Sequence, residues 1–181
     1  MIRGLSLRPA TVEDRHALWR IHSRSVEALC HGAYSPREVR TWVELLREDG
    51  YLRPEQARTV LVAERGRQIV GFGQLDTFLG ELEALYVEPE EVGHGVGSAL
   101  LSSLEELAWR AGAQVMSLDA SLNAESFYRT RGYVRLHAAK RVLTPEVQLA
   151  CVRMRKPRPG SSLRLGGERR SEAMSPLHPE P

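Results

Sequence analysis

Apolar and polar residues alternate from Ile2 to Arg8, the period of a strand with one buried face. The period then lengthens. A helix is expected to start at Thr11, with Asp14 three residues on as an approximate capping box. Leu18, Ile21 and Leu29 form its apolar stripe, and His22 and Ser25 share part of that face. A second helix is better marked, with Ser35 as cap, Pro36 in the first position and Glu38 closing the box. Val39, Trp42, Val43 and Leu46 then recur at i, i+3, i+4 and i+7. Arg58–Glu64 and Gln68–Thr77 read as a hairpin about Arg65-Gly66-Arg67, and Glu81–Val87 as a third strand. The short links make these strands antiparallel. Val96, Leu100, Leu104 and Leu107 share one face of a helix that begins near Gly97 and stops at Gly112. That helix leads to a strand at Gln114–Leu118, which a helical crossover should leave parallel to its predecessor. A short helix from about Asn123 to Gly132 and one further strand follow. The expected product is an α/β sandwich with one parallel pair inside a mostly antiparallel sheet. If that pair splays, a slot opens at its C-terminal ends.

Composition narrows the function classes. A chain of 181 residues suits one domain with a sizeable core, and 42% apolar residues is ordinary for a soluble protein. No long uncharged apolar run suggests a membrane helix, and the first residues lack the pattern of a secretory signal. The two cysteines, Cys30 and Cys151, have no metal spacing and the six histidines are scattered, so reduced thiols in a cytoplasmic protein without a metal are expected. The net charge of +2 resides wholly in residues 156–181, where five basic residues face three acidic ones. Residues 1–155 are therefore neutral, which argues against nucleic acid as a partner. The tail is rich in Pro, Gly and Ser with almost nothing to bury, and disorder is its expected state.

The chemistry concentrates in ELEALYVEPEEVGHGVGSALL, residues 81–101. Gly93, Gly95 and Gly97 stand where a strand hands over to a helix. Glycine permits positive φ there and lets a ligand reach the backbone. Unpaired amides at the positive end of the helix dipole then form a phosphate site without Lys or Arg. A P-loop would need Lys after the glycines, and none follows. The dinucleotide fingerprint fails at its third glycine, which falls on Ser98 or Leu100, although Asp119 lies at the distance of a ribose contact.

Two stretches resemble motifs of the GNAT acetyltransferase superfamily. Val87-Glu88-Pro89 followed by Gly95-Val96-Gly97 resembles motif A, with Val92 where the family usually has Arg or Gln. Asn123-Ala124-x-x-Phe127-Tyr128-x-x-x-Gly132-Tyr133 resembles motif B position by position. The wording around CHGAYSP and SLNAESFY is similar to the YafP-like bacterial branch. The resemblance implies the GNAT fold, with the parallel pair splayed around acetyl-CoA and helices on both faces. It implies acetyl transfer to an amine of a small molecule or peptide by direct attack, in a monomer or homodimer.

By the same resemblance, Val92, Gly93, His94, Gly95, Val96, Gly97 and Ser98 hold the pyrophosphate, and Leu85, Tyr86 and Val87 offer backbone to the pantetheine. Asn123 contacts the pantetheine arm and Tyr128 protonates the departing thiolate. The base glutamate of histone-acetylating members falls on Glu81; Glu83 is its neighbour, and a bulge could exchange their facings. The first two helices shape the acceptor side, which puts Tyr34 and His31 in the link CHGAYSP at the acceptor. Read without the resemblance, Phe127 and Tyr128 are packing residues, Asn123 a helix cap, and the glutamates solvated strand residues. Two alternatives stay open: an acyl-CoA sensor without turnover, which Val92 keeps alive, and a dinucleotide-binding enzyme.

Overall fold

In a computed structural model, residues 4–52 and 58–160 are described. The opening strand β1 is Leu5–Pro9. Thr11 starts a single 3-10 turn, Val12–Asp14, before the helix proper, α1, at Arg15–Leu29. Asp14 accepts the Thr11 amide at 2.8 Å and is gripped by Arg8 at 2.7 Å, which fixes the angle at which the chain enters α1. Helix α2, Pro36–Leu45, carries the full box: Ser35 Oγ accepts the Glu38 amide at 3.3 Å, and the Glu38 carboxylate accepts the Ser35 amide at 2.8 Å. Strands β2 (Thr59–Arg65), β3 (Gln68–Asp76) and β4 (Glu81–Val87) follow as an antiparallel run with β1.

The crossover helix α3 spans Val96–Arg110 and delivers β5, Val115–Ser121, parallel to β4. A five-residue helix α4, Glu125–Arg129, precedes the long hairpin of β6 (Val134–Thr144) and β7 (Val147–Pro157). One seven-stranded sheet results, in the order β1-β2-β3-β4-β5-β7-β6. The return strand β7 inserts between β5 and β6. Periodicity alone does not announce that pairing, because it depends on contacts distant in sequence. It runs as far as Pro157, and Lys156 closes on Glu105 of α3 at 2.7 Å. The disorder expected from Lys156 onward therefore does not hold for residues 156–158, where the Arg158 amide also donates to the Gln114 carbonyl at 2.8 Å, and residues 161–181 lie outside the described residues.

The sheet is covered on both faces. Leu100, Leu101, Leu104 and Ala108 of α3 pack with Met116, Leu118 and Ala120 of β5 and with Tyr128 and Tyr133. On the other face, Leu18 and Ile21 of α1 pack on Val60, Val62 and Phe72, while Trp42 and Val39 of α2 pack with Tyr34 and Leu149.

Candidate functional site

The site begins with an irregularity in β4. Opposite β3, Gln74 pairs with Ala84 and Leu75 with Leu82, so Glu83 is an extra residue without a partner. A regular strand would turn Leu82, Ala84 and Tyr86 to one face. Here Leu82, Leu85 and Val87 face the α3 side, whereas Ala84 and Tyr86 face α1. The bulge thus turns Glu83 and Ala84 together toward the α1–α2 face.

The second element is the parallel pair. β4 and β5 pair only at Glu81 with Ser117 and Leu82 with Leu118. Beyond Leu82 the β5-facing edge of β4 has no strand partner, and β5 turns away to pair with β7 through Ser121. A cleft opens between Glu83–Tyr86 on one side and Leu118–Ser121 on the other, with Tyr128 and Ala124 beside it.

At one end of the cleft is the glycine loop. Gly93 and Gly95 both have φ of +84°, a conformation that costs a residue with a side chain. Gly97 is different: its φ is ordinary, and a Cβ there would sit 3.4 Å from Phe127 and 3.6 Å from Val87. The first bond of α3 runs from the Ala99 amide to the Gly95 carbonyl at 3.0 Å, which leaves the amides of Val96, Gly97 and Ser98 free at the helix's positive end. Val92 and His94 are exposed. Arg131 donates to the Ser98 hydroxyl and lies 3.7 Å over the Phe127 ring, which puts a cation on this first turn that the motif reading did not identify.

The acidic lead-in is neutralised. Both oxygens of the buried Glu88 lie 3.0 Å from the guanidinium groups of Arg20 and Arg24, although neither contact has hydrogen-bond geometry. Arg24 also holds Glu90. Arg65 holds Glu91 with bonds of 2.8 and 2.9 Å and keeps its carboxyl below the usual range.

The other end of the cleft is built from side chains. Tyr34 is buried; its hydroxyl donates to the Ala150 carbonyl at 2.7 Å and accepts the Leu122 amide at 3.0 Å, tying the α1–α2 link to β7 and to the turn before α4. It therefore both packs and lines the cleft, with Trp42 beside it. His31 is exposed and is not part of this wall. Tyr86 stacks on the buried His22 at 3.7 Å, and burial pushes its hydroxyl up to about 12. Arg141 of β6 and Leu149 and Cys151 of β7 complete the wall.

The two glutamates are placed differently. Glu83 lines the cleft, with its carboxylate accepting from Arg58 Nε at 2.7 Å and Gln74 Nε2 at 2.8 Å. Glu81 sits at the closed end, gripped by Arg153, which also reaches Asp119 at 3.4 Å. Burial raises the Glu81 carboxyl despite that arginine. Tyr128 is buried between Phe127 and Tyr133, at centroid distances of 5.1 and 5.6 Å. Burial raises its pKa, so the phenol keeps its proton at neutral pH, and its hydroxyl has no hydrogen-bond partner among the described residues. Asn123 is exposed and does not cap α4, where Ala124 takes that position; its Oδ1 lies 3.7 Å from the Cys30 thiol, which burial pushes up to about 11. Among the described residues no group of His, Cys, Asp and Glu could hold a metal ion, and no helix is long and apolar enough to cross a membrane.

The overall fold is shared with known proteins, and the sequence agrees. The sequence model of the acetyltransferase (GNAT) domain matches residues 30–154. The chain belongs to the GNAT acetyltransferase family. A GCN5-related N-acetyltransferase structure from Rhodopseudomonas palustris superposes with a TM-score of 0.80 at 31% identity, over 87% of this chain and 98% of that one. YncA, a putative acetyltransferase from Salmonella typhimurium solved with acetyl-CoA, has the same fold at 24% identity, with a TM-score of 0.64 over 89% of this chain and 98% of that one. The uncharacterized N-acetyltransferase YafP of Escherichia coli K12 is 26% identical over 133 residues, 73% of this chain and 83% of YafP. The seven-stranded, mostly antiparallel sheet with one parallel pair is the fold that these GNAT structures share.

The residues that sequence reasoning missed are Arg131, Trp42 and Arg141. Only tertiary contacts bring Trp42 and Arg141 to the cleft and Arg131 to the first turn of α3.

Proposed function

We propose that this GNAT chain moves an acetyl group from acetyl-CoA to the amine of a small molecule or peptide, by direct attack in a ternary complex. The observation that carries the reading is a single cleft with free helix amides and an unpaired strand edge at one end, and a carboxylate and a protonated phenol facing the space between. The residues fit the carrier. Val96, Gly97 and Ser98 offer amides to a pyrophosphate, with Arg131 on the same turn, and the open edge of Leu85–Val87 suits an amide-bearing arm laid along it. When bound, acetyl-CoA supplies a thioester carbon open to a nucleophile.

The protein's task is to manage protons. An amine is protonated near neutral pH and attacks only after losing a proton. Glu83, on the cleft wall and fixed by Arg58 and Gln74, is placed to accept that proton directly or through water. Both carboxylates are held by an arginine, and Glu81 is the weaker choice because it sits at the closed end and does not line the cleft. Tyr128 keeps its phenolic proton at neutral pH and supplies it to the leaving sulfur. Release of free thiol from acetyl-CoA, measured against a panel of amines, tests the reading; tight binding of acetyl-CoA without turnover of any amine would make the protein an acyl-CoA sensor instead.

A further inference from the structure

Several half-buried basic side chains in this protein are matched to carboxylates, while Arg15 and Arg131 donate instead to backbone carbonyls and a hydroxyl. Arg58 holds Asp76 and Glu83, Arg65 holds Glu91, Arg153 holds Glu81, and Lys156 holds Glu105. Arg141 and Arg155 have no such carboxylate among the described residues, and of the two only Arg141 lines the cleft. It projects from β6 into the cleft wall, is only partly exposed, and has no carboxylate within ion-pair distance among the described residues. Its charge bears on Tyr34, Cys151 and His22, and the Tyr86 hydroxyl lies within its hydrogen-bonding reach as a neutral partner. Burial keeps all four neutral, so none supplies a counter-charge.

A guanidinium drawn out of water is costly unless an anion or good hydrogen bonds replace the lost hydration, and it does not shed its proton. The pocket therefore holds a fixed positive charge whose open side is the cavity. Glu83 and Asp119 lie on the other wall, on β4 and β5, whereas β6 is the far edge of the sheet, two strands beyond β5. One lobe attracts a cation and the other an anion, with Trp42 and Leu149 as apolar surface in the same pocket.

Building on the acetyl-transfer reading, we propose that the acceptor is a small amine that also carries a carboxylate, as a free amino acid does. Its nitrogen faces Glu83 and Asp119, and its carboxylate takes the fork of Arg141, a geometry suited to two parallel hydrogen bonds. A decarboxylated amine or an amide leaves the arginine unpaired. Sites built around a polar contact discriminate against analogues that lack it far more strongly than apolar sites discriminate against a missing methylene.

The test uses the full chain with acetyl-CoA and the common amino acids, each beside its carboxamide and its decarboxylated amine, with thiol release as the readout. At least one free amino acid should exceed its own amide and amine by about tenfold or more in kcat/KM. Arg141→Leu should erase that preference, mainly through KM, and Arg141→Lys should keep part of it; thermal unfolding of both variants checks the fold. Equal rates across a reactive trio, or a preference untouched in Arg141→Leu, would overturn the acceptor class and leave acetyl transfer standing.

If acetyl-CoA binds and nothing in the panel releases thiol, the transfer reading fails. The pocket is then judged by binding alone, through tryptophan fluorescence with Trp42→Phe as the reference. Amino-acid titrations that change the Trp42 signal, with the change lost in Arg141→Leu and absent with amides, would support the proposal. Titrations without that pattern would overturn it.

Discussion

The two ends of the cleft are made of different materials. The carrier end is backbone: three free amides at the start of α3, two glycines with positive φ, and a strand edge without a partner. The acceptor end is side chain: Tyr34 and Trp42 from the helical pair, Glu83 from a bulge, Arg141 from an edge strand. Backbone recognition needs particular residues only where a Cβ would intrude, so it leaves a short pattern in the sequence. Side-chain recognition draws single residues from distant segments and can be rewritten one at a time. One end is therefore suited to a constant ligand and the other to a changeable one.

The largest expected effects fall where the two ends meet. Tyr128→Phe keeps the ring and removes a hydroxyl that has no hydrogen-bond partner among the described residues, so stability should hold and turnover should fall roughly 10²-fold, with acetyl-CoA affinity near wild type. A fully active Phe variant would return Tyr128 to packing alone. Glu83→Gln should lower turnover to a similar degree, roughly 10²-fold at neutral pH. The loss should be smaller at high pH, where more amine is already free. If Glu81→Gln cost more activity than Glu83→Gln, the assignment of Glu83 as the base would be reversed.

A smaller effect is expected at the backbone end. Gly95→Val forces a β-branched residue to a φ of +84°, and weakening of acetyl-CoA binding by about tenfold is expected from the distorted loop and its amides. Calorimetry would show it, with circular dichroism as the check on folding. Gly97 is the milder position, because a Cβ there meets only ordinary contacts. If Gly97→Ala proved as damaging as Gly95→Val, the loop would be acting through direct approach to the ligand and not through its backbone conformation.

How much of this was legible in the chain follows the same division. The cap at Ser35, the hairpin, the strand at Glu81–Val87 and the crossover helix each rest on local patterns, and each appears in the structure. The glycine loop was legible for the same reason. The insertion of β7 between β5 and β6 was not, since strand order is set by contacts far apart in sequence. Nor was the choice between Glu81 and Glu83. Both lie on an alternating strand, and only the pairing of Leu82 and Ala84 with consecutive residues of β3 reveals the extra residue between them. Arg141 resembles any solvated basic residue on a strand until its neighbours are known.

The smallest predicted effect concerns the wall behind Tyr86. Burial lowers the His22 pKa from 6.5 to about 3, so the folded protein holds this ring neutral while the unfolded chain protonates it. The stabilisation is complete above the unfolded pKa and is lost as pH falls from about 6.5 toward 3, at no more than about 1.4 kcal/mol per pH unit. Between pH 6.5 and 5 most carboxylates stay ionised, and comparison with a His22 variant separates this ring from the other histidines and from the raised Glu81 carboxyl. Urea midpoints should fall with pH there in wild type and fall less in His22→Gln. Equal slopes would mean that the ring is protonated within the fold.

The seam between β4 and β5 has a mechanical consequence. Only two residue pairs join the leaf β1–β4 to the leaf β5–β7–β6. Helix α3 lies mainly across the first leaf, and α4 against the second. The ladder between the leaves is short, and the core beneath α3 packs residues of both. A ligand in the cleft lies along the free margins of both leaves and closes them together, so occupancy should slow amide exchange at Leu85–Val87 and at Asp119–Ser121 as one unit. The opening that admits the ligand is also where the sheet is least stitched, which lets binding act as the missing part of its hydrogen-bonded ladder.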